Sequence, residues 1–231
     1  MPQSYIEPCI TCPTDDLDWF SGWLTPLGLG LVLWENESKD RRKGPTTSFD
    51  RFKPRVTLTT TSKNQSKAKL DSLRLTNVIV VQHCSSPDVT KWACQDQRVD
   101  GLLFDNSSIH QLVDTSTARM MVENEKYLEV NCADFLRSRP TIGALRNVRK
   151  ALFRTSKKGV PTCLASQANR PYHLRAWRSM QGLATFLGMT EEDYKTGQTW
   201  LRDRIQRNIS RLDPSFVAPG IWLVDEEVDN S

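Results

Sequence analysis

An α/β fold built on a parallel sheet and closed as a TIM-like barrel is what the sequence predicts, from three observations. Seven short apolar runs rich in β-branched residues recur along the chain, amphipathic segments of helical period separate most of them, and 231 residues suit seven or eight such units. Strands buried on both faces read as continuous apolar runs, the mark of a parallel sheet covered on both sides. Strict β–α alternation then gives one layered domain, taken here as residues 1–231. An open doubly wound sheet shares that alternation, and the compactness of the units favours the barrel with roughly seven parallel strands.

The first strand is SYIEPCI, Ser4–Ile10, followed by a helix over Asp15–Leu27 for which Asp15 is the predicted N-cap. LGLVLWE, Leu29–Glu35, is the second strand. Where a crossover helix is expected next, residues 36–54 read NESKDRRKGPTTSFDRFKP, a polar stretch with Gly and Pro that predicts an exposed loop. The third strand, Arg55–Thr61, leads to a helix over Ser66–Leu73, the fourth, Asn77–His83, to Pro87–Gln97, and the fifth, Asp100–Asn106, to Thr115–Glu125. Tyr127–Ala133 is the sixth strand and Pro140–Lys158 its helix, with Pro140 in the first turn and Gly159 as C-cap. The seventh strand, Val160–Ser166, breaks at Gln167-Ala168-Asn169-Arg170-Pro171. Helices over Pro171–Leu187, closed by Gly188, and Glu191–Arg207 follow, and residues 225–231 predict a solvated acidic tail.

No twenty-residue apolar run is present and the N-terminus lacks a charged region followed by an apolar one, so a soluble intracellular protein with no membrane partner is expected. Six cysteines lie mostly in strand-like apolar runs, as buried thiols of a reducing compartment do. Cys9 and Cys12 have the spacing of half a zinc site, but no second pair follows, and coincidence is the better reading.

Barrels place chemistry where strands empty into loops, yet the residues for chemistry are sparse. The three histidines, His83, His110 and His173, form no HxH or HExxH, and the first strand reads YIEPCI where a metal-dependent phosphoesterase barrel needs an HxH. Phosphate-cradling glycine motifs are missing. Glu129 and Asp134 flank a strand rather than a recognisable cleft. Cys163 and Ser166 at a strand end, with His173 beyond, support only an alternative reading as a barrel hydrolase, metal-dependent or not.

The charge distribution is more informative than its sum. Of 31 basic and 27 acidic residues, net +4, eleven basic ones and no acidic one fall between Phe135 and Thr190, which leaves 20 minus 27, or −7, for the remainder. On a helical wheel, Ile142, Leu145, Val148 and Leu152 form the docking side of the predicted helix, and Arg146, Lys150, Arg154 and Lys157 the opposite one. Like charges so spaced repel, by a few tenths of a kcal/mol for each pair. An anionic partner relieves them, and phosphate backbones match arginine forks. The predicted RNA-binding residues are Arg146, Arg149, Lys150, Arg154, Lys157, Lys158, Arg170, Arg175 and Arg178, with the loop Lys39–Lys43 as a lesser contributor.

The run LEVNCADFLRSRP, the basic helix and its continuation to EEDYKTG resemble the archaeal and eukaryal ribonuclease P protein component 3, the thirty-kilodalton subunit family. Glu129, Ser166, Ala168, Arg175, Leu187, Gly188 and the Glu191-Glu192 helix start occupy the family's pattern, and IQRN resembles its closing helix. The match is clear from Asp114 to Asn208, weaker from Arg55 to Asp105 and poor before that. Two departures stand out, the first strand YIEPCITC and Asp114-Thr115 where many members carry Asp-His.

The resemblance implies a TIM-like barrel without catalytic residues, because the RNA subunit is the ribozyme that removes the 5′ leader of precursor tRNA. It implies no cofactor on this chain, with Mg²⁺ on the RNA. The implied partners are ribonuclease P RNA, precursor tRNA indirectly, a small ferredoxin-like protein subunit and other ribonuclease P proteins. The lack of a long Lys-rich C-terminal tail favours an archaeal version, hence a cytoplasmic location; a eukaryotic one is expected in the nucleolus.

Overall fold

The computed structural model describes residues 5–35, 50–213, 215–218 and 221–222. Seven strands, β1 (Tyr5–Ile10), β2 (Leu29–Glu35), β3 (Phe52–Leu58), β4 (Ile79–His83), β5 (Gly101–Leu103), β6 (Tyr127–Asn131) and β7 (Thr162–Ala165), form one sheet in sequence order. Every neighbouring pair is parallel. The last strand returns to the first at one end, where Ile10 and Ala168 form a bridge and Thr11 N donates to Ala168 O at 2.9 Å. This is the predicted TIM-like barrel, nearly closed.

Around it run α1 (Leu17–Leu24), α2 (Lys63–Arg74), α3 (Pro87–Gln95), α4 (Ile109–Leu112), α5 (Thr115–Glu123), α6 (Ala133–Arg137), α7 (Ile142–Lys158), α8 (Trp177–Leu187) and α9 (Glu191–Leu212), with a short hairpin of β8 (Phe216–Ala218) and β9 (Ile221–Trp222). The shell between helices and strands holds residues such as Phe20, Val32, Trp34, Val80, Leu128 and Leu164. Inside the barrel, Ile6, Leu33, Ile79, Val81, Leu103 and Cys163 meet Leu201 and Ile205 of α9. Each such buried side chain contributes roughly 1.5–3 kcal/mol.

The seam between β1 and β7 is filled by α9 rather than by a strand ladder. Gln198 gives and takes a hydrogen bond with the backbone of Ile6, at 3.3 and 2.9 Å, in place of a neighbouring strand. Gly197 must be glycine, because a Cβ there would lie 2.0 Å from Thr162 O. Further along, Asn208 donates to Val78 O at 2.8 Å and Asp100 Oδ1 at 3.1 Å, so α9 crosses beneath the N-terminal ends of the strands. A Thr190–Asp193 capping box starts this helix.

Several boundaries correct the sequence expectations. β3 starts at Phe52 rather than Arg55, because Pro54 is tolerated: its carbonyl accepts from Val78 N, and its missing N–H would point below the start of β4. Residues 36–49 of the predicted loop, Lys39–Lys43 among them, and the tail at 225–231 lie outside the described residues. Asp15 is not the N-cap of α1; it lies inside a 3-10 turn, Thr14–Asp16, and Asp16 takes that position. Pro140 precedes α7, whose N-cap is Thr141, accepting from Ala144 N at 3.1 Å. Gly159 and Gly188 close α7 and α8 in the left-handed conformation, as expected.

Candidate nucleic-acid interface

The C-terminal mouth of the barrel, where this architecture keeps chemistry, is filled by a buried ion network. Arg55 Nη1 donates to Glu129 Oε2 at 2.7 Å and to Pro8 O at 2.6 Å, and Nη2 to Thr57 Oγ1 at 2.7 Å. Its Nε lies 3.1 Å from Glu35 Oε2, close enough to pair but off the hydrogen-bond direction. Tyr127 adds a hydroxyl to Glu129 Oε2 at 2.9 Å, and Gln167 reaches Glu129 Oε1 at 3.4 Å. Glu129 thus points into the barrel instead of flanking a strand, a correction that its alternation with Leu128 and Val130 explains. Arg55 was missed from the sequence because it reads as the polar start of a strand.

Next to this network, Glu7 accepts from Ser166 N at 2.9 Å and Cys9 N at 3.2 Å through one oxygen, while its other oxygen is buried without a partner. Burial, opposed by those two hydrogen bonds, pushes its carboxyl up to about 8. Among the described residues no group of His, Cys, Asp and Glu has the arrangement of a metal site.

Cys163, Ser166 and His173 are not assembled as a nucleophile and base. Cys163 Sγ is buried against Gly197 O at 3.3 Å, and burial raises its pKa far above the ordinary thiol value. Ser166 Oγ accepts from Ala168 N at 3.2 Å, whereas His173 Nδ1 bonds Asn169 Oδ1 at 2.7 Å. The six cysteines are free thiols, all buried.

The basic surface lies outside the barrel, first on α7. Val148, Ala151, Leu152 and Thr155 form its buried face. Ile142, expected to dock, is 76 % exposed, because it stands a turn and a half ahead of Val148, beyond the layer that covers the rest. It instead lines, with Leu145, Arg146, Arg149, Lys150 and Phe153, a shallow groove of about 510 Å³. Lys157 lies over the Phe153 ring at 4.3 Å, and Lys158 is exposed. Arg154 departs from the predicted outer face: its Nη1 donates to His110 O at 2.5 Å and Val113 O at 3.1 Å, tying down the C-terminal end of α4.

The second part is the strap after β7. Gln167 holds a left-handed backbone, φ 52°, at the point where the chain leaves the barrel. Pro171 opens only a 3-10 turn, Pro171–His173, and not α8; residues 174–176 are extended before α8 begins at Trp177. Arg175 therefore sits on no helix, and its Nη1 braces the strap by donating to Tyr172 O at 2.8 Å and Leu174 O at 2.9 Å. Arg137 of α6, counted in the basic segment but not among the predicted contacts, donates to Gln167 O at 2.9 Å and Asn169 Oδ1 at 3.2 Å. Arg170 and Arg178 are exposed, the latter 5.4 Å from the Trp177 ring. Burial, then Arg137, Arg175 and Arg170, lower the pKa of His173.

Among the described residues none of the nine predicted cations pairs with a carboxylate, although seven other Lys or Arg do: Arg55, Arg74, Arg98, Arg119, Lys195, Arg204 and Arg207. The α7 and α8 helices pack together, with Arg149 Nε 3.8 Å from the position of a Cβ at Gly188, so groove and strap belong to one side of the barrel.

The family model described as RNase P subunit p30 matches residues 43–211. The chain belongs to the RNase P subunit p30 family. Membership gives it the role of a ribonuclease P protein subunit, in tRNA processing. Ribonuclease P protein component 3 of Halobacterium salinarum is 23 % identical over 171 residues, 72 % of each chain. A chain in the cryo-EM structure of archaeal ribonuclease P with mature tRNA superimposes with a TM-score of 0.74 at 17 % identity, covering 96 % of this chain and 99 % of that one. The p30 family match reaches well upstream of Asp114, across the strands whose residues resemble the family only in rhythm.

Proposed function

We propose that this p30-family subunit binds ribonuclease P RNA through the cations of α7 and the strap that lack a carboxylate partner, and so supports the catalytic RNA in removing the 5′ leader of precursor tRNA. The observation that carries the reading is the absence of any carboxylate partner for these cations among the described residues. A basic face that has no internal counter-charge is relieved by phosphate, with release of condensed counterions. The contacting groups are Arg146, Arg149, Lys150, Lys157, Lys158, Arg170 and Arg178, with Arg175 offering the nitrogens its brace leaves free. Arg154 holds α4 in place and serves the interface indirectly.

The chain contributes position and charge rather than a reacting group; Mg²⁺ belongs on the RNA. Exposed Ile142 and Phe153 offer apolar area that phosphates do not use. That area suits the small ferredoxin-like protein subunit, with other ribonuclease P proteins beyond it. The test is the double substitution Arg146→Glu with Lys150→Glu. RNA affinity falls and the slope of log K against log salt flattens by about one unit per lost contact, with the melting temperature unchanged; an unaltered slope refutes the reading.

A further inference from the structure

The strap carries aromatic as well as basic side chains, and phosphate binding leaves the aromatics unexplained. Tyr172 is 59 % exposed and Trp177 40 % exposed, within six residues of each other and beside three arginines. Exposed aromatic rings on a braced segment offer flat apolar area that phosphate contacts do not use. Their positions are fixed: His173 meets the Tyr172 ring edge-on at 4.6 Å, Arg175 ties down the backbone carbonyl of Tyr172, and Trp177 packs against Gly28. Arg178 lies over the Trp177 ring, so a guanidinium plane and an indole are presented together.

Resting on the RNA-binding reading above, we propose that Tyr172 and Trp177 stack unpaired nucleotides, making the strap a single-strand site beside the phosphate-binding face of α7. Stacking on aromatic rings next to arginines is how single strands are held without sequence preference. Paired bases present no free face, so a duplex gains nothing from these rings. Charge decides against an apolar protein patch here. The other exposed tryptophans of this side, Trp19 and Trp23, stand on α1 beside Asp18, whereas residues 170–178 contain no acid. Burial first, and Arg137, Arg175 and Arg170 after it, lower the pKa of His173.

The experiment uses the full chain, a fluorescein-labelled oligouridine of about twelve nucleotides and a blunt RNA duplex. Tyr172→Leu and Trp177→Leu, singly and together, keep apolar bulk without an aromatic face, and circular dichroism melts establish that each variant is folded. Each substitution weakens oligouridine binding by about tenfold, with duplex affinity and the salt slope unchanged. Because Trp177 packs on Gly28, Tyr172→Phe and Tyr172→Trp provide the second arm, retaining full affinity for the oligouridine. Unchanged oligouridine affinity in folded Tyr172→Leu overturns the stacking proposal, as does an equal loss for the duplex. If wild-type binding to both RNAs shows no salt dependence and Arg146→Glu with Lys150→Glu leaves it intact, the RNA-binding reading itself fails, a different pattern.

Discussion

Arg55 in the mouth of the barrel and Arg146 on its outer wall carry the same charge in opposite circumstances. Arg55 is fully buried and faces Glu129 and Glu35; Arg146 is exposed, with no carboxylate in reach among the described residues. A buried guanidinium must be paired, since leaving it or its partners alone in a low dielectric costs several kcal/mol. An exposed one is hydrated and tolerates solitude at little cost to the fold. Charge inside the mouth therefore serves the protein's own structure and occupies the space where barrels keep chemistry. Charge on α7 and the strap has no carboxylate partner among the described residues, which is what the proposed RNA contact rests on.

That contrast gives ordered expectations. Arg55→Met strands Glu35 and Glu129 without their cation and lowers unfolding free energy by about 3–5 kcal/mol in a urea titration. A small loss would show that the mouth is wetter than its burial indicates.

Glu7 is the converse case, a buried carboxyl with no cation. Its folded pKa, raised from 4.5 to about 8 by burial, means that the folded state keeps a proton the unfolded chain releases between those values. Its favourable contribution is complete below about pH 4.5 and is lost as pH rises towards 8. Glu7→Gln should flatten the fall in stability across that window by about 2–4 kcal/mol, read as the difference between wild-type and variant denaturation curves.

Arg154→Ala, which frees two carbonyls at the end of α4, costs about 1–2 kcal/mol of stability and leaves the salt slope of RNA binding unchanged. Arg146→Glu with Lys150→Glu does the reverse, altering the slope with stability within about 0.5 kcal/mol. If the two phenotypes matched, the distinction between structural and partner-directed arginines would fall.

How much was legible follows from where each signal is local. The seven apolar runs placed every strand of the barrel, and Gly159 and Gly188 marked the ends of α7 and α8, because burial on two faces and the left-handed C-cap leave marks in adjacent residues. The short helices α4 and α6 were missed, since four or five residues show too little of a 3.6 period. Pro171 was read as the start of α8 because proline favours a first turn. It does open a turn, but the strap is held by a long-range anchor from Arg137 and a local brace from Arg175, and the helix waits until Trp177.

The sequence alone determined the barrel's strand–helix rhythm, the acid-free block from Phe135 to Thr190 and the family resemblance carried by Glu129, Ser166 and Arg175. Each is a property of residue order that survives without knowing what lies across the fold. Which arginine is spent inside the molecule and which remains free was settled by tertiary structure. Arg55 meets Glu129 across 74 positions of chain and Arg154 finds carbonyls more than forty residues upstream. A salt bridge or a helix-end cap depends on distances of about 3 Å in space, which no spacing along the sequence encodes.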